Sequence, residues 1–431
     1  MPVAIFSTPS PRLSPAGAAK LQAALDKHAG RIPGCFLLVG TGEEVLFDGR
    51  SGVFDRLEEG SSPRLVDDQS IFWFASTTKL LTGIAALQLI ERGILSFDTP
   101  VSAYLPQVST PFKIITAVGA NGVPIFEECN EEILVSQLMN QTGGMGDEFG
   151  DKIRPWKAWT RVGAGFTNSC QKANLLSVPP TERPGKVFQY GNCSEWLGLV
   201  IQEATGLDLD DYFKQNIFEP LGMSSTTFYP FSPEERKHLI PLRWRNPDEK
   251  VAAGEPEWVE LTDQQDILKL PRTRDGIEYP VGGGGIYTRP ADYHKLLRHL
   301  LHHRLAGTPS PELKLSTETI TSIFTPSLPK GSHEGWSPYF REKYGVQDPK
   351  QIDWSTALSI LCIPDGEQMK GYGRTSGSAS WSGAPGIEYW MDQVKNVAVV
   401  MGTNFLPMGH KITEQFKEEM EKVVYEVLQE A

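Results

Sequence analysis

The sequence predicts an α/β (α+β) fold, in which helices flank an antiparallel sheet and a mainly helical lobe is inserted into the chain. Two observations lead to this fold class. Apolar, strand-like runs stand near both ends of the chain, at residues 35–39 and 397–401, whereas helical patterns dominate residues 100–280. Strands at the two ends with helices between them indicate one sheet layer that carries an insertion.

The chain begins with a predicted helix and a predicted hairpin. Small and apolar residues recur at helical spacing within residues 14–28, and Pro33-Gly34 then precedes the first strand-like run. The glycines at positions 40 and 42 separate this run from a second one at residues 45–47, a pattern typical of a β-hairpin.

A helix predicted over residues 77–92 is apolar almost all round, as expected of a helix at the centre of a protein, and Gly93 follows it as a stop signal. Later helices are predicted at residues 131–139, 194–204, 209–217, 290–301 and 411–430, and later strands at residues 281–288 and 397–401. We therefore assign residues 1–95 and 281–431 to the sheet domain and residues 96–280 to the inserted helical lobe, with the active site between them.

The composition of the 431 residues is that of a folded globular protein, with 40% hydrophobic residues and a net charge of -12. This charge argues against nucleic acid and anionic lipid as partners, because both bind clustered Lys and Arg. The five cysteines lack CxxC spacing, so we expect reduced, mostly buried thiols. No secretory signal and no run of 18 apolar residues is visible, and we expect a cytoplasmic protein without membrane association.

Ser76 and Lys79 are the candidate nucleophile and its activating partner. A serine hydroxyl is a poor nucleophile until a proton acceptor stands beside it. In the motif S-T-T-K the spacing puts both side chains on one helical face, about 5 to 6 Å apart at Cβ. The pattern S-x-x-K also occurs at Ser169 and Ser327, but only Ser76 begins a strongly apolar helix, whose dipole and free N-H groups favour a developing negative charge.

Tyr190 is the candidate third member of this group, and Asn192 follows it in a Y-x-N motif. A phenol becomes a useful base when a neighbouring ammonium favours its anion, and Lys79 would supply that ammonium. Taken alone, the motif is also compatible with a packing tyrosine followed by an asparagine in a turn.

The third candidate segment is WSGAPG at residues 381–386, near the C-terminal strands. Attack on an ester carbonyl creates an oxyanion, on which two backbone N-H donors must converge. The N-H groups of Ser76 and Ala384 are the candidates, and Gly383 lets the strand approach without a Cβ in the way. A glycine-rich turn without a chemical role is the alternative interpretation.

Together the three motifs resemble the serine β-lactamase, penicillin-binding protein and class C-like esterase superfamily, whose pattern is S-x-x-K, then Y-x-N, then a [KHW]-x-G strand. The segments FDTPV at residue 97, LMNQTGG at residue 138 and PLGM at residue 220 extend the resemblance. It implies a β-lactamase-like fold with catalytic Ser76, Lys79 and Tyr190, and with oxyanion or substrate contacts from Ala384, Gly383, Trp381 and Asn192.

Within this superfamily the chain is most similar to fungal polyketide transesterases of the statin acyltransferase type and to their esterase relatives, through ASTTKLLT at residue 75, ERG at residue 91 and ATGLDL at residue 204. This resemblance implies that Ser76 takes an acyl group from an ester or thioester and passes it to an alcohol of a small hydrophobic secondary metabolite. Trp381 replaces the lysine general in β-lactamases, which favours a neutral substrate. The residues Asn140-Gln141-Thr142 also depart from the family's loop motif.

Two alternatives stay open at this point. A carboxylesterase would use the same Ser76, Lys79 and Tyr190, because transfer and hydrolysis differ only in whether an alcohol or water reaches the acyl-enzyme. A catalytically inactive binding scaffold would keep the fold alone. We expect no cofactor and no metal. The expected partners are a small-molecule ester or thioester donor, with an acyl carrier protein as one candidate carrier, and an alcohol acceptor.

Two further patterns receive no function in this interpretation. His299, His302 and His303 have metal-like spacing on one predicted helix, but no Glu or Cys stands within it, so an ordinary surface helix is favoured. The glycines at 282–285 lack the Lys-Ser/Thr pair of a phosphate-binding loop, which favours a tight crossing of strands beside the active cleft.

Overall fold

A computed structural model describes the chain at residues 10–55, 63–147, 150–160, 170–230, 232–261, 276–336, 341, 348–357, 360–362 and 373–429. Its strands are β1 (Arg12–Leu13), β2 (Gly34–Gly40), β3 (Val45–Asp55), β4 (Arg64–Leu65), β5 (Phe72–Trp73), β6 (Phe112–Val118), β7 (Pro124–Cys129), β8 (Arg243–Arg245), β9 (Trp258–Glu260), β10 (Tyr287–Thr288), β11 (Ile352–Trp354), β12 (Ile360–Cys362), β13 (Ala379–Gly383), β14 (Ile387–Asp392), β15 (Val397–Thr403), β16 (Phe405–Leu406) and β17 (Leu428–Gln429).

The α-helices are α1 (Pro15–Ala29), α2 (Thr78–Glu91), α3 (Val135–Met139), α4 (Ile153–Thr160), α5 (Lys172–Leu176), α6 (Cys193–Thr205), α7 (Leu209–Phe213), α8 (Glu219–Leu221), α9 (Pro233–Arg236), α10 (Asp248–Ala252), α11 (Pro290–Ala306), α12 (Thr317–Ile323) and α13 (Lys411–Val427). A short 3₁₀ helix, Ala75–Thr77, leads directly into α2. Among the residues placed in these ranges, no helix combines the length and the apolar character needed to cross a bilayer.

The main sheet joins the two ends of the chain. In the described part, eight strands follow the order β11-β12-β13-β14-β15-β2-β3-β4, and all of their pairings are antiparallel. The N-terminal strand β2 lies beside the C-terminal strand β15, with Leu38 opposite Val400. The predicted fold class, an antiparallel sheet built from both chain ends, is confirmed.

Helices cover both faces of this sheet. Successive side chains of a strand point to opposite faces, so neighbouring residues of β2 contact different helices. On β2, Leu37 packs into a cluster with Leu25 of α1 and Phe416 of α13. Its neighbour Leu38 packs into the larger cluster on the other face, which includes Ile84 of α2. The predicted C-terminal helix therefore packs on the sheet through its apolar side chains Phe416, Met420, Val423 and Val427.

The glycine run at residues 282–285 differs from its prediction. Only Tyr287–Thr288 of the predicted strand forms one, β10, which pairs with β5; the glycines form turns instead. A Cβ on Gly282 would lie 3.3 Å from Gly198 Cα of helix α6, and Gly282 O accepts a hydrogen bond of 2.6 Å from Thr82 Oγ1 of α2. The run is thus a tight crossing of a turn with two helices.

The cysteine prediction is confirmed for the residues that the structure describes. Cys35, Cys129, Cys170 and Cys193 are buried and form no disulfide. The side chain of Cys362 lies outside the described residues.

Candidate active site

Ser76 lies at the N-terminal end of the buried helix α2, in the 3₁₀ turn that connects it to strand β5. The preceding residue, Ala75, has a φ of 46°, which places a non-glycine residue in the left-handed region. Hydrogen bonds fix this turn: Thr78 Oγ1 donates to Ala75 O at 2.6 Å, and Tyr293 Oη donates to Thr77 O at 2.9 Å. The surrounding core therefore holds a strained turn that leaves Ser76 half-buried.

The other two S-x-x-K serines lack this setting. Ser327 Oγ donates to Trp354 O at 2.6 Å, and the segment that follows Ser327 is not helical. Ser169 lies outside the described residues.

Lys79 contacts both predicted partners. Its Nζ lies 3.5 Å from Ser76 Oγ and 4.8 Å from the centroid of the Tyr190 ring. The same ammonium donates a hydrogen bond of 2.7 Å to Gly283 O, in the glycine turn. Its side chain is 3% exposed, so the ammonium exchanges solvation by water for these protein contacts.

The electrostatic environment keeps Lys79 protonated. Burial lowers the pKa of Lys79, but the charges of Tyr190 and Glu195 and a hydrogen bond with Tyr190 raise it, and the net result is a raised pKa. At neutral pH the side chain is therefore an ammonium. In this form Lys79 is a hydrogen-bond donor and a local positive charge beside Ser76 and Tyr190.

Tyr190 lies in the loop before α6, and Gln141 fixes this loop by hydrogen bonds. Gln141 is fully buried with a φ of 60°. Its backbone carbonyl accepts from Gln189 N at 2.8 Å, and its side-chain Oε1 accepts from Gly191 N at 3.1 Å. Since these two residues flank Tyr190, Gln141 holds the tyrosine from both sides. This gives a physical role to one residue of the segment that departs from the family's loop motif.

Asn192, two residues after Tyr190, is buried and donates hydrogen bonds to two backbone carbonyl groups. Its Nδ2 donates to Gly146 O at 2.9 Å, and its backbone N-H donates to Met145 O at 2.9 Å. A Cβ on Gly191 would lie 2.1 Å from Met145 O, so the approach of the two segments requires glycine there. Through these contacts Asn192 stabilises the loop that carries Tyr190. The contact with substrate that was expected of Asn192 stays a prediction.

The third motif lies on strand β13 of the main sheet, beside the turn that holds Ser76. Strand β13 contacts the 3₁₀ helix that holds Ser76, and a Cβ on Gly383 would lie only 2.4 Å from Phe74 O. The ring of Trp381, which is buried, lies 5.0 Å from that of Tyr190 between centroids. Ala384 packs with Ala75 in a small apolar cluster. The predicted oxyanion role of Ala384 stays a prediction.

Glu195 is a further residue of the site, and no sequence motif marks it. This carboxylate is 3% exposed in the first turn of α6. A Cβ on Gly283 would lie 2.1 Å from Glu195 Oε1, so the carboxylate packs against the glycine whose carbonyl binds Lys79. The one signal in the sequence is an acidic residue in the first turn of a mainly apolar helix, five residues after Tyr190.

Known proteins resemble this chain over most of its length. A model of the Beta-lactamase family matches residues 18–418. Acyltransferase calJ of Penicillium decumbens is 26% identical over 375 residues, which are 83% of this chain and 80% of the relative. Lovastatin esterase of Penicillium rubens is 28% identical over 285 residues, or 65% of this chain and 66% of the relative.

A solved structure shares the architecture. A LovD6 mutant of simvastatin synthase from Aspergillus terreus superposes with a TM-score of 0.79 at 24% identity, covering 95% of each chain. The fold is thus of the class found in β-lactamase-like enzymes and penicillin-binding-protein homologues. The chain belongs to the Beta-lactamase family, as the match over residues 18–418 shows.

Proposed function

We propose that this protein is a serine acyl-transfer enzyme, in which Ser76 takes an acyl group from an ester or thioester and passes it to an alcohol of a small hydrophobic molecule. One observation carries the proposal: Lys79 Nζ stands 3.5 Å from Ser76 Oγ and contacts Tyr190, at the start of a buried helix. Relatives that are an acyltransferase and an esterase support acyl-transfer chemistry.

In the proposed acylation step, Tyr190 reacts as the phenolate and takes the proton of Ser76 as Oγ attacks the carbonyl carbon of the donor, so that Tyr190 becomes a neutral phenol. Lys79 remains an ammonium and favours both the phenolate and the developing alkoxide. The N-H groups of Ser76 and Ala384 receive the oxyanion, for which the contact of Gly383 with Phe74 O brings the two segments together. The bond to the leaving alcohol or thiol then breaks, and Tyr190 returns the proton to that group.

The second step reverses this order. The acceptor alcohol loses its proton to Tyr190 and attacks the carbonyl carbon of the acyl-enzyme. The bond to Ser76 Oγ breaks, and Tyr190 restores the proton to the serine. Hydrolysis to a carboxylic acid follows the same course with water as the acceptor, so a carboxylesterase is the second candidate function, favoured by the similarity to lovastatin esterase.

The surroundings of Ser76 favour an apolar, uncharged acyl group. Ala75 and Trp73 belong to an apolar cluster against which the partly exposed side chains of Trp244, Tyr287 and Ala384 pack. When an apolar ligand binds to such a surface, each Å² of apolar area that is removed from water contributes about 25 cal/mol to binding. Trp381 stands where β-lactamases carry a lysine, which removes a cation for a substrate carboxylate.

Four further assignments belong to the same proposal. Residues 96–280 form a lobe inserted into a sheet domain of residues 1–95 and 281–431. The protein acts in the cytoplasm. It serves fungal secondary metabolism, for which the similarity to calJ is the support. Its donor is a small ester or thioester, with an acyl carrier protein as one candidate carrier.

Intact-mass spectrometry tests the proposal. The protein is incubated briefly with p-nitrophenyl butyrate or a butyryl thioester, with and without a panel of polyketide alcohols, beside the Ser76→Ala variant. We expect a butyryl adduct that maps to Ser76 and clears faster with an alcohol than with water alone. Equal clearance in water identifies an esterase instead. An adduct or full turnover in the Ser76→Ala variant contradicts both functions.

A further inference from the structure

Two histidines of helix α11 lie close to a carboxylate that comes from outside this helix. His299 and His303 are one turn apart on α11, with ring centroids 4.5 Å from each other. The loop that follows α11 folds back and places Glu312 Oε2 3.8 Å from His299 Nε2 and 3.9 Å from His303 Nε2. One ligand atom from each of the three residues lies within 4.8 Å of the others.

We propose that His299, His303 and Glu312 form a binding site for a divalent transition-metal ion of the zinc type, apart from the acyl-transfer site. Bonds of about 2.0–2.2 Å in a tetrahedron separate neighbouring ligand atoms by roughly 3.4 Å. Two of the three separations exceed this by less than 1 Å, and the Glu312 side chain is 47% exposed, so a small rotation of this side chain is enough to close the difference. Two imidazoles and a carboxylate leave a fourth position for water.

The contacts around the histidines suit metal binding. His303 Nδ1 lies 3.0 Å from Thr308 Oγ1, so this nitrogen can donate its hydrogen while Nε2 faces Glu312. His299 Nε2 lies 2.6 Å from Ser310 Oγ, a hydrogen bond that the metal would replace. Ser310 Oγ also accepts from Leu313 N at 3.1 Å and keeps that bond.

The protonation of the two imidazoles is compatible with this geometry. Burial lowers the pKa of His299 to about 4 and also lowers the pKa of His303. Both rings are then neutral at neutral pH, and a neutral imidazole is the form that binds a metal.

The proposed site joins α11 to the loop that supports the far end of α2. Gln88 Nε2 donates to Leu313 O at 2.8 Å, and Glu91 Oε1 accepts from Ser316 N at 2.8 Å. Both contacts lie at the C-terminal end of α2, whereas Ser76 precedes its N-terminal end, about 20 Å away along a helix of 14 residues. A bound metal would therefore stabilise the packing of the catalytic helix without touching the reacting atoms.

Metal titration of the full chain tests the site. The protein is treated with a chelator, desalted and titrated with Zn²⁺ alone by isothermal titration calorimetry, and its melting temperature is measured in parallel. We expect one Zn²⁺ per chain and a higher melting temperature with zinc, because the ion binds the folded state preferentially. His303→Gln and Glu312→Gln should each weaken binding by at least about tenfold.

His302→Gln is the matched control, because His302 is exposed, lies on the same helix and is not one of the three ligands. This variant should bind zinc within about threefold of the unchanged protein. Glu312 is exposed enough that its replacement leaves the fold intact, and the melting curve without zinc verifies this. The proposal is overturned if no stoichiometric binding occurs, if Glu312→Gln binds as tightly as the parent, or if His302→Gln loses binding equally.

Discussion

Replacement of Glu195 by glutamine tests whether the negative charge of Glu195 acts on Lys79, as we infer from their common contact with Gly283. The two side chains have nearly the same size, and Glu195 packs against Gly283, whose carbonyl oxygen lies 2.7 Å from Lys79 Nζ. The substitution therefore removes a negative charge from a buried place without creating a cavity. Because the charge of Glu195 raises the pKa of Lys79, its loss should lower that pKa.

Coulomb's law gives the order of magnitude of this effect. Two unit charges 4 Å apart interact by about 4 kcal/mol at an effective dielectric constant of 20. Gly283 stands between the carboxylate and the ammonium, so we take half of this value, about 2 kcal/mol. That free energy corresponds to roughly a 30-fold change in the ratio of ammonium to neutral amine.

The assay is the pH dependence of kcat/KM for p-nitrophenyl butyrate. If an ammonium at Lys79 is required, the alkaline limb of the profile should move to lower pH in Glu195→Gln. The rate of the variant should then match the parent at acidic pH and fall behind it with rising pH, by up to about 30-fold. Glu203→Gln is the control, since Glu203 lies on the same helix and forms an exposed ion pair with Lys172.

The shape of the profile separates this reasoning from simple structural damage. A loss of rate that is the same at every pH would mean that Glu195 matters for packing and not for the charge of Lys79. An unchanged profile in a folded variant would refute the electrostatic role altogether.

Three other predictions concern Gln141 and the buried ion pair of Arg374 with Glu421. Gln141→Ala removes the side-chain support of Gly191 N and should slow Ser76 acylation by about ten- to a hundredfold, measured by single-turnover mass spectrometry; a parent-like rate would contradict the support of Tyr190. Arg374→Met removes the guanidinium that lies 2.7 Å from the buried Glu421 carboxylate and should cost about 3–5 kcal/mol in urea denaturation, whereas a neutral effect would show that the ion pair adds nothing. Burial raises the pKa of Glu421 to about 7, so the folded state holds a proton that the unfolded chain has lost, and stability should fall as pH rises from about 4.5 to 7. Glu421→Gln should flatten this dependence of the urea midpoint, and an equal slope in both proteins would assign it to other groups.

Local patterns explain why so much of the fold could be predicted. An alternating or continuous apolar run specifies a strand, and the apolar run after Ser76 specifies a buried helix, because burial follows directly from side-chain periodicity. The glycines at 282–285 are the counterexample. Their residue type is compatible with several backbone conformations, and the close packing of Gly282 against α6 decides among them.

The relation of Ser76 to Lys79 is likewise a local property, since a spacing of three residues in a helix places two side chains on one face whatever surrounds them. Residues distant in the chain obey no such rule. Gln141 as the support of Tyr190, Glu195 beside Gly283, and Glu312 opposite His303 arise only when helices and loops pack. Their positions are set by side-chain contacts and backbone hydrogen bonds across the fold, which no periodicity along the sequence encodes.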